Sequence, residues 1–78
     1  MINCIITSPK KTTVYKDIQS VTLPSFYGQT QILPGHAEYF LLLNKGNIIL
    51  QQSRERKKII QTPSGECCVK NDNIIIII

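Results

Sequence analysis

Tryptophan is missing from these 78 residues, and histidine and methionine occur once each. Carboxylates are few: Asp17, Glu38, Glu55, Glu66 and Asp72 stand apart along the chain and suggest no pair for general acid and base work. The lone His36 has no second histidine to join it and only the single carboxylate Glu38 close by in sequence, so a loop-bonding imidazole is favoured over a proton shuttle. A Gly-rich phosphate loop is absent, and so is Gly-Xaa-Ser-Xaa-Gly. No catalytic constellation emerges, and neither a cofactor nor a metal is expected. Three cysteines cannot all pair within one chain, and the adjacent Cys67-Cys68 argues against a disulfide framework and for a reducing compartment. As ligands they would need Cys4 and His36 to complete a site. Neighbours on a strand point to opposite faces, however, and zinc sites use separated pairs. Small, one-side-buried hydrophobes are the better reading of these thiols. Long apolar runs are lacking too. Ile74 to Ile78 is far too short to span a bilayer and no signal peptide is visible, so membrane association is expected only through a partner.

What is present points to strands. The 42% hydrophobic content is that of a globular chain, and 14 of the residues are isoleucine, whose branched Cβ suits a pleated sheet. Ile2 to Thr7 places Ile2, Cys4 and Ile6 on one face. Ser8-Pro9-Lys10-Lys11 turns the chain, Thr12 to Tyr15 is a short strand, and Lys16-Asp17 is a polar break. Ile18 to Leu23 alternates, with Gln19, Val21 and Leu23 opposite Ile18, Ser20 and Thr22. Asn47 to Gln52 and Lys57 to Gln61 flank a hairpin tip at Ser53 to Arg56. Glu66 to Lys70 and Ile74 to Ile78 flank a tight turn at Asn71-Asp72-Asn73. No stretch sustains helical periodicity. This spacing of turns predicts one domain over 1–78, an all-β, small antiparallel β-sandwich or flattened barrel of about eight to ten short strands.

The stretch from Leu23 to Gly46 organises the rest. Pro24 and Gly28 signal a turn, with Phe26-Tyr27 inside it. Ile32-Leu33 is a short apolar pair, Pro34-Gly35 a second turn, and Glu38 to Leu43 a buried strand ended by Lys45-Gly46. An aromatic pair on a turn marks a contact surface or folds back over the end of a small sandwich, and Phe26-Tyr27 fit both.

This order of residues resembles the epsilon subunit of F-type ATP synthases. Leu23, Pro24, Gly28, Ile32, Leu33, Pro34, Gly35, His36, Ala37 and Gly46 match that family's motif, while Gln31 replaces a Gly and Glu38 the usual Pro. Toward the end Gly65, Val69, Asn73 and Ile74 to Ile77 fall in register, with Ser64 and Glu66 as departures. The resemblance covers the chain from about Ile5 onward.

It implies a β-sandwich in a non-catalytic rotor subunit, helping couple proton-driven rotation to ATP synthesis. The partners implied are the gamma subunit and the c-ring of the membrane sector. Carried over by position, Phe26, Tyr27, Gly28, Gln29, Thr30 and Gln31 would face the ring, with Gln29 foremost, and Ser8 and His36 would lie toward gamma. The family's C-terminal helical hairpin would begin beyond Ile78, so a chain without the inhibitory arm is expected. No transit peptide is visible, which favours a peripheral place on the cytoplasmic face of a bacterial inner membrane. The alternative is a free-standing barrel binding nucleic acid through Arg54, Arg56, Lys57 and Lys58. A net charge of +4 is compatible with an anionic partner. No aromatic ring interleaves those cations, though, so a solvated hairpin tip and no nucleic acid is the favoured reading.

Overall fold

Alternation in the sequence becomes nine strands and no helix in a computed structural model describing residues 1–78. They are β1 (Ile2–Thr7), β2 (Thr12–Ile18), β3 (Ser20–Ser25), β4 (Gly28–Ile32), β5 (Tyr39–Leu43), β6 (Gly46–Gln51), β7 (Lys57–Thr62), β8 (Gly65–Lys70) and β9 (Asn73–Ile77). All join one curled sheet in the order β2-β1-β9-β8-β5-β3-β6-β7, with β4 on the other edge of β3. The curl makes a half-barrel whose larger half runs from β2 to β5 and whose smaller half holds β4, β3, β6 and β7. The halves meet at a corner where β3 touches β5 through the single pair Ser25 and Leu43. The expected antiparallel pairing fails in one place, since β1 and β9 run parallel.

Inward residues from both halves form one cluster of 15 buried hydrophobics. Ile2, Cys4, Ile6, Ile74, Ile76, Cys67, Val69, Leu41 and Leu43 come from the larger half, and Ile18 closes its end. Val21, Leu23, Ile32, Ile48 and Leu50 come from the smaller half. Each fully buried Ile or Leu contributes about 1.5–3 kcal/mol. With all three thiols free, this cluster and the sheet ladder hold the chain together.

Three local readings need correction. Pro24 lies inside β3, opposite Gln29, and not in a turn. Having no N–H, it is tolerated where β3 changes neighbours: its carbonyl accepts from the Asn44 N–H at 2.7 Å, and β6 begins just beyond. Its ring is also why residue 46 is glycine, because an added Cβ would come within 2.8 Å of the Pro24 Cβ.

Lys16-Asp17 is a bulge within β2 and not a break. The register slips between Ile2 and Cys4 on β1, and Asp17 takes a φ of 57°, which a short polar side chain tolerates. The bulge and the bend at Gln19 also overturn the single alternation from Ile18 to Leu23. Ile18, Val21 and Leu23 all point inward, each 0% exposed.

The Phe26 to Gln31 segment is not a loop either. Ser25 pairs with Gly28, leaving only Phe26-Tyr27 as the turn, and Gln29, Thr30 and Gln31 belong to β4. Ile32 ends β4 with its side chain buried, while Leu33 next to it is 51% exposed.

Elsewhere turn chemistry is followed closely. Pro34-Gly35 sits in a turn closed by His36 N–H donating to the Leu33 carbonyl at 3.2 Å, with Gly35 at φ 82°, as a type II turn requires. Asn71 and Asp72 both take positive φ, 51° and 60°, the geometry of a two-residue hairpin that matches sheet twist.

Candidate functional site

The outward face of the larger half carries the chain's most continuous apolar surface. Strand register aligns Phe40 with Cys68, Cys68 with Ile75, Ile75 with Ile5, and Ile5 with Val14. Every residue in that row across five strands is apolar. The next row holds Leu42, Glu66, Ile77, Thr7 and Thr12. Phe40 is 58% exposed, Leu42 52%, Ile75 42%, Ile77 50% and Val14 52%. An aligned apolar row, flanked by a second row in which Glu66, Thr7 and Thr12 interrupt the apolar residues, is the pattern of a protein contact, since lone exposed apolar residues are ordinary and contiguous ones are not. Sequence reading missed this band because it took Glu38 to Leu43 for a buried strand, whereas only Leu41 and Leu43 are buried and Tyr39, Phe40 and Leu42 are exposed. The band's one visible sign was apolar residues at both parities, as in Tyr39 to Leu43 and Ile74 to Ile78, where a half-buried strand would alternate.

Around the corner, the β3–β4 turn leans toward the same band. Phe26 is 63% exposed and Tyr27 97%, so neither ring covers the core. A groove lined by Phe26, Tyr27, Tyr39, Phe40, Leu41 and Leu42 lies between the turn and β5, a cavity of about 580 Å³. Ser25 holds the turn in shape. Its buried hydroxyl donates to the Gly28 carbonyl at 2.7 Å and accepts from the Tyr27 N–H at 3.2 Å. Gly28 takes φ 105°, a value unsuited to other residues. Gln29 and Gln31 are exposed on β4, alternating with the half-buried Thr30 and buried Ile32.

Ser8 and His36 are not brought together. Ser8 follows β1 in a turn where its Oγ accepts from the N–H groups of Lys10 and Lys11, both at 3.4 Å. His36 follows the Pro34-Gly35 turn at the other end of the larger half, its Nδ1 2.8 Å from the Ala37 carbonyl oxygen and its ring centroid 5.7 Å from that of Tyr39. The Gly35 N–H donates to Asp72 Oδ1 at 2.6 Å, which ties that turn to the β8–β9 hairpin. Since Thr7 pairs with Ile77 and Asn3 with Asn73, the two sites lie at opposite ends of β9, roughly 13 Å apart along the strand direction. Between them runs the apolar band. Of the motif residues, Leu23 and Ile32 serve the core, while Leu33, Pro34, Gly35 and Ala37 make an exposed connection.

Cys4 and Cys67 are core residues, their thiols pushed up to about 12; burial is the main cause for both, and neighbouring thiols add to it at Cys67. Cys68 points outward into the apolar band. No three of the chain's His, Cys, Asp and Glu side chains gather where a metal could be held.

An all-β body of nine strands with an apolar outer band and an aromatic hairpin tip is a small β-sandwich-type domain. The chain belongs to the family described as ATP synthase, Delta/Epsilon chain, beta-sandwich domain, which matches residues 1–78. It is 34% identical to the ATP synthase epsilon chain of Wolinella succinogenes over 71 residues, covering 91% of this chain and 53% of that one. With the ATP synthase epsilon chain of Bdellovibrio bacteriovorus it shares 30% over 74 residues, 94% of this chain and 53% of the relative. The chain thus spans about half the length of these relatives.

Among solved structures, a chain of the Euglena gracilis mitochondrial ATP synthase, solved as OSCP/F1/c-ring, superposes with a TM-score of 0.88 at 17% identity, over 97% of this chain and 49% of that one. A chain from the Tetrahymena thermophila mitochondrial ATP synthase, central stalk and c-ring, gives a TM-score of 0.82 at 12% identity, over 97% and 61%. At those identities the likeness is one of fold.

Proposed function

We propose that this domain is the sandwich of a central-stalk subunit in a proton-translocating F-type ATP synthase, binding gamma and the c-ring and helping couple ring rotation to ATP synthesis. The supporting observation is the apolar band of the larger half, bounded by the Ser8 turn at one end and the His36 turn at the other. One partner laid along that face touches both turns, which is how residues so far apart in the fold belong to a single gamma contact. The second contact is the Phe26-Tyr27 tip with Gln29 and Gln31 beside it, facing the ring. A hydrogen-bonded sheet closed over one core resists bending, as a part transmitting torque must. The chain contributes no chemistry of its own and meets the membrane through its partners, at the cytoplasmic face of a bacterial inner membrane.

Nucleic-acid binding is not favoured by this geometry. The exposed aromatic pair sits past the C-terminal end of β3, whereas the basic tip lies beyond its N-terminal end, where Ser20 pairs with Gln51. Rings and cations are therefore not interleaved as base stacking needs.

The test is a pull-down with this chain as bait, read for gamma, together with a Gln29→Cys variant probed for disulfide formation with a cysteine in the ring's polar loop. Capture of gamma and cross-linking through residue 29 are expected. Cross-links from Arg54→Cys but never from Gln29→Cys would show that the docking orientation is wrong.

A further inference from the structure

The sheet's two end strands, β2 and β7, curl round to share a cleft of about 230 Å³ on the core side of the molecule, away from the apolar band. Its polar lining is Ser8, Lys11, Thr13, Tyr15 and Lys58, and the rest is isoleucine. Thr13 and Tyr15 reach it because they alternate with the outward Val14. Lys58 reaches it because it is in phase with Ile60 and the buried Thr62, so β7 aims a cation inward.

Folding thereby joins two basic stretches far apart in sequence. Lys10-Lys11 and the Arg54 to Lys58 run together hold six of the nine cations but only Glu55 of the five acids, while the three cations and four acids elsewhere nearly cancel. Two ammonium groups and three hydroxyls around an isoleucine floor, with no carboxylate among them, leave a positive field in a cleft, whose walls focus it on an anion more than an open surface does.

We propose that this cleft binds a phosphate group, carried by a soluble phosphate compound or by an anionic lipid headgroup. Lys11 and Lys58 neutralise the charge from the two sides. Thr13 and Tyr15 donate hydroxyl hydrogen bonds to the oxygens, while the Ser8 hydroxyl, which donates to the Lys11 carbonyl at 3.3 Å, braces the turn. The Ser8 turn is prepared for this, since the Ser8 N–H donates to the Lys11 carbonyl at 2.9 Å and fixes where Lys11 begins. A lysine aimed inward also guards an exposed strand edge against pairing, but that duty alone predicts no saturable ligand. The cleft shares the Ser8 turn with the proposed gamma contact and otherwise uses the opposite face of the larger half; binding of phosphate is read on the chain alone, without gamma, so the two readings fail separately.

Pyrophosphate titrated into the isotope-labelled 78-residue chain at low ionic strength, followed by amide NMR, is the first arm. Saturable shifts centred on Ser8, Lys11, Thr13, Tyr15 and Lys58 are expected. Lys11→Gln and Lys58→Gln should each weaken binding about tenfold, the usual loss for a charge-assisted hydrogen bond. Lys10→Gln, with the same change of charge outside the cleft, should weaken it less than twofold. Circular dichroism checks that the variants keep their strands.

The second arm is sedimentation with phosphatidylglycerol vesicles against phosphatidylcholine ones. Retention on the former, lost in the Lys11→Gln/Lys58→Gln double variant, assigns the phosphate to lipid. Pyrophosphate binding without retention assigns it to a soluble compound. Unsaturable shifts spread over Arg54, Arg56 and Lys57 and unmoved by Lys58→Gln overturn the site, as does a lack of binding in both arms.

Discussion

Phe40 and Leu41 are neighbours on β5 with opposite duties, and substituting each separates docking from folding. Phe40 is 58% exposed in the free domain while Leu41 is 6% exposed. A phenylalanine buries roughly 150–250 Å² when fully covered, so docking on the apolar band would remove about 90–140 Å² of Phe40 from water. At about 25 cal/mol per Å², that is ~3 kcal/mol of binding, or roughly a hundredfold in Kd. Phe40→Ser should therefore abolish most of the affinity for gamma while lowering the unfolding free energy by only about 1.5–2.5 kcal/mol, the worth of the 42% of the ring that the free domain already covers. Leu41→Ala should do the reverse, costing roughly 2–5 kcal/mol of stability through a cavity in the core and weakening binding only as far as the domain unfolds. Urea unfolding followed by circular dichroism measures the first quantity, and titration of the purified chain against gamma the second. A Phe40→Ser domain that folds normally and binds gamma as the native chain does would refute the assignment of this face.

Two further outcomes follow from the sheet itself. At Gly65, where β7 hands over to β8, an added Cβ would collide with the Ile77 backbone carbonyl and press on the Ile78 side chain, so Gly65→Ala should push the end of β9 away and cost roughly 1–3 kcal/mol. A scanning calorimeter should then read a Tm lower by about 4–24 °C, and an unchanged Tm would contradict this packing. Cys4 and Cys67 have thiols raised from 9.0 to about 12 in the fold, so the stability they contribute is fully present below pH 9 and is lost as pH rises toward 12. The urea midpoint of the native chain should therefore fall more steeply over that range than that of a Cys4→Val/Cys67→Val variant. Parallel slopes would oppose the assignment. At neutral pH an aromatic disulfide reagent should modify Cys68 quickly and the other two only on unfolding.

How far the sequence alone reaches is clearest at particular positions. Pro34-Gly35 and Asn71-Asp72 were legible as turns because their conformations are set by φ preferences that no neighbour needs to supply. Ile2, Cys4 and Ile6 were legible as one face, and Cys67 and Cys68 as opposite faces, because a strand has a period of two. Matched turn residues and apolar positions likewise made the family legible. The ladder partners decided the rest. Pro24 reads as a turn until the switch from β6 to β5 removes the need for its missing N–H. Lys16-Asp17 reads as a break until the register of β1 shows a bulge. The apolar band exists only because β5, β8, β9, β1 and β2 lie side by side in one register, bringing Phe40 to the same row as Val14. The basic cleft exists only because the sheet curls until residues of its two end strands line the same cleft. Local chemistry set the strands and turns, which depend on one residue and its next neighbours. Tertiary structure set the surfaces, which depend on residues tens of positions apart becoming adjacent.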